Sequence, residues 1–299
     1  MKQLSGTILI AGATGFIGKL LCQRLCADGF AVRCLVRRAT LGMPDTAEQI
    51  QGDLLLPDTL GPAMEGVDTA YYLVHSMSGG RAGFERRDRE AAGNFVAAAN
   101  EARVRRVIYL GGLGETGDNL SEHLKSRLEV AEILKQGAFA TTFLRAAVIV
   151  GAGGASFEMI RSLVERLPVM ITPRWVSTRC QPIAVADVIG YLVGCLMDER
   201  TCWRTFDIGG PDVLTYRDMM ERFARIAGKR LHILPVPVLT PKLSSYWVGL
   251  ITPVPPSVSM PLIEGLRNEV ICHDDSIRDL IPMRLIPFDE AVHHALAAR

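Results

Sequence analysis

The stretch Ile8–Leu21, ILIAGATGFIGKLL, decides how this chain is read. A short apolar run gives way to Gly12, Gly15 and Gly18 in G-x-x-G-x-x-G spacing, and a helical pattern runs on from Phe16 to Ala27. The first turn of such a motif needs a residue without Cβ. The chain must then approach a pyrophosphate closely, and the last glycine lets helix and strand pack tightly. The helix start adds free N–H groups and the positive end of its dipole. Three glycines alone would also serve a tight structural turn. Their place after a buried strand and ahead of an amphipathic helix points to a dinucleotide instead.

Outward from this turn, short apolar runs alternate with helical patterns. Strands are expected at TILIAG, AVRCLVR, EQIQGD, DTAYYLVH, RRVIYLGG and ATTFLRAAVIVG, with helices over 16–27, 84–102 and 121–135. That alternation predicts a doubly wound α/β protein, a parallel sheet covered by helices on both faces. Further along, IAVADVIGYLVGCLMD reads as a helix and WRTFDIGG as a strand. LTYRDMMERFARIAG reads as a helix capped by Thr215 and ended by Gly228. The expected division is a Rossmann domain over 1–210 and a smaller C-terminal, substrate-side region over 211–299.

With 299 residues and 48% of them apolar, the chain can bury a sizeable core, which excludes disorder. Its 33 basic and 32 acidic residues leave a net charge of +1, so bulk electrostatics give no case for nucleic acid. Seven cysteines lack paired spacing, and neither Cys22 with Cys26 nor His293 with His294 has a second ligand pair, so no metal site is expected. Reduced thiols packed as small apolar groups fit a cytoplasmic setting. The first residues show no signal-peptide pattern. The apolar region Ile233–Ile263 is broken by prolines and Lys242, which argues against a spanning helix. Packing on its own core, a lid, a subunit contact and a peripheral membrane contact all remain open for it.

The second strand bears on the choice of coenzyme. An NAD site commonly places a carboxylate there for the ribose 2′-hydroxyl. Here the strand ends in Arg37 and Arg38, whose guanidinium groups suit a 2′-phosphate, so NADP is favoured over NAD. Arg33 is expected to be solvated. Asp53, in QGDL, has two readings, an acceptor for the adenine amino group or a cap for the turn that follows it.

On GATGFIG, GDL, VDTAYYLVHSM, RVIYLGGLG, LRAAVIVGAG, PIAVADV and FDIGGPDVLTYRDMM, the chain resembles the extended and atypical short-chain dehydrogenase/reductases. Within them it looks most like the NmrA-like and complex I accessory-subunit-like proteins, and YLVHSM is similar to a bacterial NAD(P)-binding subgroup. The resemblance implies a Rossmann fold with the coenzyme at the carboxyl ends of the strands. Carried over, Gly12, Thr14, Gly15, Phe16, Ile17 and Gly18 would form the pyrophosphate turn. Arg37 and Arg38 would meet the adenosine ribose, and Asp53 with Leu54 the adenine. Leu73, Val74 and His75 would pass beside the nicotinamide ribose.

The chain departs from the family where the chemistry is usually done. His123 and Arg127 stand in place of the Tyr and Lys, and Gly111 and Gly112 where a Ser or Thr hydroxyl is common. An imidazole exchanges protons near neutrality, yet a neighbouring Arg disfavours imidazolium. Three readings of the His123–Arg127 pair stand: an acid/base pair, a pair that positions coenzyme or substrate, and incidental polar residues on a surface helix. His75 is a second catalytic candidate, with a hydrogen-bonded structural histidine as the plainer account. Loss of both Tyr and hydroxyl argues against ordinary alcohol–ketone catalysis. It leaves a reductase of a quinone-like or conjugated apolar substrate, or a non-catalytic dinucleotide sensor or assembly protein. Asp187 is expected to cap a helix, and the HDDS run at 273–276 to cap a helix start.

Overall fold

A computed structural model describes residues 6–74, 81–113, 122–172, 174–235 and 268–298. In chain order its elements are β1 (Thr7–Ala11), α1 (Phe16–Ala27), β2 (Val32–Val36), β3 (Glu48–Gln51), α2 (Gly61–Met64), β4 (Val67–Tyr72), α3 (Arg81–Glu101), β5 (Arg106–Gly112), α4 (Glu122–Leu134) and β6 (Ala140–Ala146). There follow β7 (Ile149–Val150), α5 (Ala155–Arg166), β8 (Val169–Thr172), β9 (Arg179–Cys180), β10 (Ile183–Ala184), α6 (Val185–Met197), β11 (Arg204–Ile208), β12 (Leu214–Thr215), α7 (Tyr216–Ile226) and β13 (His232–Pro235). Two helices close the set, α8 (Ile277–Leu280) and α9 (Phe288–Ala297).

Seven strands form one parallel sheet in the order β11-β6-β5-β4-β1-β2-β3. Both faces are covered, which is why β1 reads as an unbroken apolar run. Ile8 and Ile10 point into a cluster with Leu21 of α1 and Val188 and Leu192 of α6. Leu9 and Ala11 point into the opposite cluster, with Phe95 of α3 and Leu134 of α4. The strand order reverses between β1 and β4, and at such a switch point two loops diverge and leave a crevice beyond the carboxyl ends.

The long apolar run 140–151 does not stay in one strand. β6 ends at Ala146, and Ile149–Val150 leaves the main sheet to pair with β10. A second core then gathers Phe157 and Leu163 of α5 with Met219, Met220 and Phe223 of α7 and Val292 of α9, segments on both sides of Gly210. Within it, α7 begins with the expected cap: the Thr215 hydroxyl accepts from the Asp218 N–H at 3.1 Å while the Asp218 carboxylate accepts from the Thr215 N–H at 2.8 Å. It ends at Gly228, with φ +65° and the Lys229 N–H returning to the Ala224 carbonyl.

The C-terminal segment is held by its own main chain. Backbone N–H groups of Cys272, His273, Ile286 and Phe288 donate to side-chain oxygens of Gln181, Asp207, Asp187 and Asp212, at 2.8–3.0 Å. Asp187 therefore does not cap its helix, whose N-cap Ala184 carries no side-chain bond. The carboxylate reaches across to the chain at Ile286, because the first turn of α6 is buried beneath that segment. The HDDS run does not cap the helix it precedes either: the N-cap Ser276 makes no side-chain cap bond, and Asp274 instead accepts from the Ser276 N–H at 2.9 Å, closing the turn before the helix.

Arg33 also corrects the sequence reading. It is not solvated: its guanidinium donates to Glu48 at 2.7 Å and to the carbonyls of Ala63 and Glu65, and its side chain is only 14% exposed. Its position on β2 puts those carbonyls, at the end of α2, within reach of the guanidinium. Cys22 and Cys34 meet at 3.5 Å in the core behind the glycine turn, where burial and the neighbouring thiol push Cys22 far above the usual thiol range. Among the described residues no helix is long and apolar enough to cross a membrane.

Candidate functional site

The glycine turn sits at the switch point, at the carboxyl end of β1. Gly12 has φ +92°, and a Cβ there would lie 2.7 Å from the Leu73 carbonyl oxygen, so both the conformation and the space demand glycine. A Cβ on Gly18 would strike the Gly12 carbonyl oxygen and come within 2.8 Å of Ala13 Cα. That contact is how the helix seats against the turn. Gly15 is the N-cap of α1 with extended backbone, no side chain bonds back to the helix start, and the first turn carries no acid. The amides of Phe16, Ile17 and Gly18 thus form an uncovered, electropositive helix end beside the exposed Thr14. These features fit a pyrophosphate.

Phe16 has a further role that the motif does not show. Its ring packs on the turn before α5, where a Cβ on Gly154 would come within 2.9 Å of the ring and one on Gly151 within 3.0 Å. The run VGAGGAS is a second glycine platform facing the first, and the cue in the sequence is three glycines directly after an apolar strand. Ile17 is half-buried against the core that α1 shares with α6.

Arg37 and Arg38 follow the last residue of β2, at the same edge of the sheet as the glycine turn. Both are exposed, and neither makes an ion pair with any described residue. Asp53 caps its own turn, its Oδ1 accepting from the Leu55 N–H at 3.0 Å. Leu54 is buried in the core under α3, with its carbonyl held by Asn94 at 2.7 Å. Leu73 donates its N–H to the Ala11 carbonyl at 2.9 Å and lies against Gly12, with the half-buried Val74 next. The structure brings Gly12–Gly18, Leu73 and Val74 together and sets Arg37 and Arg38 at the neighbouring strand end.

His75 lies outside the described residues. His123 falls on the first turn of α4, and its side chain lies outside them too. Arg127 is described: its Nε is buried without a hydrogen-bond partner, and its carbonyl accepts from the Tyr109 hydroxyl at 3.5 Å. Buried donors normally find an acceptor, and among the described residues this one has none. β5 ends in Gly111 and Gly112, which supply no hydroxyl. Of the apolar run 233–263, residues 236–263 lie outside the described set.

Sequence reading missed a pair at the ends of β6 and β11. Arg145 bonds the buried Asp207 at 2.6 Å, and Asp207 also holds the His273 N–H. The signal was present as one Arg and one Asp inside otherwise apolar strands, LRAAV and FDIGG.

Fold and turn together define a Rossmann-like α/β protein whose glycine turn fits a dinucleotide. Residues 12–156 match the model of a family described as NAD(P)H-binding. The chain is 23% identical over 252 residues to the chloroplastic divinyl chlorophyllide a 8-vinyl-reductase of Arabidopsis thaliana, covering 77% of this chain but only 60% of that protein. It is 23% identical over 311 residues to the mitochondrial NADH dehydrogenase [ubiquinone] 1 alpha subcomplex subunit 9 of the same plant, covering 95% of this chain and 76% of that one. Among solved structures, triphenylmethane reductase of Citrobacter sp., crystallised with NADP(H), superimposes with a TM-score of 0.78 at 20% identity, over 97% of this chain and 99% of that one. At that identity the likeness shows the fold.

Proposed function

We propose that the protein is an NADP(H)-dependent reductase of an apolar, conjugated or quinone-like acceptor. The observation that carries this reading is the pairing of a phosphate-fitting turn, Gly12 to Gly18, with two unpaired guanidinium groups, Arg37 and Arg38, where an NAD site would carry a carboxylate. Those two residues would hold the 2′-phosphate, and the amides opening α1 the pyrophosphate. Leu73 and Val74 would line the nicotinamide side, where Phe16 and the Gly151–Gly154 platform exclude water. The bound coenzyme would supply hydride from its nicotinamide ring.

The residues opposite favour an acceptor that needs little help from a protein acid. With Gly111 and Gly112 in place of a hydroxyl, and no Tyr on α4, a simple ketone would lack its proton donor. A quinone or an enone takes hydride into a delocalised anion, which solvent can protonate. Arg127, with its orphaned Nε, is suited to hold a ribose or substrate oxygen, and His123 or His75 to exchange the proton. A second reading, a dinucleotide-responsive assembly subunit, draws support from the similarity along 95% of this chain to a subunit of a respiratory complex.

One experiment separates them. NADPH is incubated with the protein and a panel of quinones and enones while the absorbance of the reduced nicotinamide is followed. Turnover supports the reductase. Unequal affinity for NADP and NADPH without turnover supports the subunit. In parallel, Arg37→Glu with Arg38→Glu should weaken NADP far more than NAD, and equal losses would remove the 2′-phosphate assignment.

A further inference from the structure

We propose that the outer face of the small β8–β13 sheet is a docking surface for an anionic lipid bilayer. In this parallel pair Val169 stands beside His232, Met170 beside Ile233 and Ile171 beside Leu234. Side chains alternate across a strand, so the pairing sorts them cleanly. Met170 and Ile233 face inward and are buried in the second core. Val169, Ile171 and Leu234 face outward at 49%, 58% and 54% exposure. Among the described residues these three large aliphatic side chains form an apolar strip without a packing partner.

The chain leading into β13 carries cations without a carboxylate partner among the described residues. Arg225, Lys229 and Arg230, on the last turn of α7 and the loop into β13, are exposed and make no ion pair with any described residue. Between Glu221 and Glu264 the sequence holds no carboxylate at all, but it holds Arg225, Lys229 and Arg230 besides Arg222, which pairs with Asp212 and Asp289. In a chain whose acids and bases otherwise balance, this is a local excess of cations beside the apolar strip. An anionic bilayer offers both complements at once, hydrocarbon for the strip and headgroups for cations on long, flexible stems. A second copy of the chain suits the face poorly. It would set like charges against each other, and a stable protein interface takes about 800 Å² per partner, more than three half-exposed side chains supply.

The test is flotation of the full chain with vesicles of phosphatidylcholine alone and of equal parts phosphatidylcholine and phosphatidylglycerol. Binding is expected to the anionic vesicles only, and to weaken with salt. Lys229→Gln with Arg230→Gln should reduce it roughly thirtyfold. Ile171→Asp with Leu234→Asp should abolish it, with thermal unfolding and coenzyme affinity retained. Absence of binding to either vesicle, equal binding to both, or unchanged binding by both variants overturns the proposal. So does a concentration-dependent dimer that the aspartate variant dissolves while vesicles are ignored. Should the aspartate variant fail to fold, the glutamine variant decides alone, and affinity within twofold of the parent overturns the assignment.

Discussion

The same chemical change at two glycines should have opposite effects. Gly18 and Gly93 both lie within helices, in α1 and α3, and neither has positive φ. A methyl at exposed Gly93 meets nothing within 4 Å. Gly93→Ala should therefore gain the helix-propensity difference, about 1 kcal/mol. At Gly18 the same gain is opposed by collision with the Gly12 carbonyl oxygen and with Ala13 Cα at 2.8 Å, both main-chain atoms that cannot swing aside. Overpacking of this kind costs about 1–3 kcal/mol, and relief requires lifting α1 off the turn. Gly18→Ala should be neutral to roughly 2 kcal/mol less stable than the parent. Dinucleotide affinity should fall at least tenfold, because the lifted amides no longer converge on the pyrophosphate. Urea unfolding at constant m and calorimetric titration with NADP read the two quantities. Gly18→Ala with unaltered coenzyme affinity, or a destabilised Gly93→Ala, would refute the close-packing account of the turn.

Three further outcomes follow. Thr215 holds the Asp218 carboxyl below the usual range by hydrogen bonds from its hydroxyl and N–H, so that stabilisation is present above the unfolded pKa and is lost as pH falls through the lower folded one; Thr215→Ala should cost about 1 kcal/mol at neutral pH and flatten the acid limb of a stability–pH curve. Asp212→Asn keeps the acceptor for the Phe288 N–H, whereas Asp212→Ala removes it and should cost about 1–2 kcal/mol, with faster amide exchange at α9 as the local readout. Cys22, Cys34, Cys180 and Cys195 are buried, so an aromatic disulfide reagent should modify no more than Cys26, Cys202 and Cys272 quickly in the folded protein and all seven after denaturation; prompt loss of Cys34 would show the packing behind the turn to be wrong.

The sheet and the coenzyme turn were legible because their signals are local. Apolar runs of strand length and glycines at fixed spacing report backbone needs that act over a few residues, and the helix from Phe16 to Ala27 appears with the bounds its pattern suggests. Sequence failed where a distant partner decides. Arg33 looked like a surface residue because nothing nearby in the chain announces the carbonyls of Ala63 and Glu65. Asp187 occupies a position where a cap is common, yet its partner is almost a hundred residues away. The run 140–151 kept one apolar character across two sheets, since hydropathy does not distinguish which sheet a residue serves. Phe16 and the Gly151–Gly154 platform lie at two separate turns, and only folding makes them one wall.

The four clips on the C-terminal segment all grip peptide N–H groups, and every residue except proline has one. The exposed positions of the C-terminal segment are therefore free to change without loosening these four clips, while Ile277, Phe288 and Val292 stay tied to the cores they fill. A lineage built on this plan could vary the outer surface of that segment while its seat on Gln181, Asp187, Asp207 and Asp212 stayed unaltered. The vulnerable changes would be proline at 272, 273, 286 or 288, which deletes the gripped group itself.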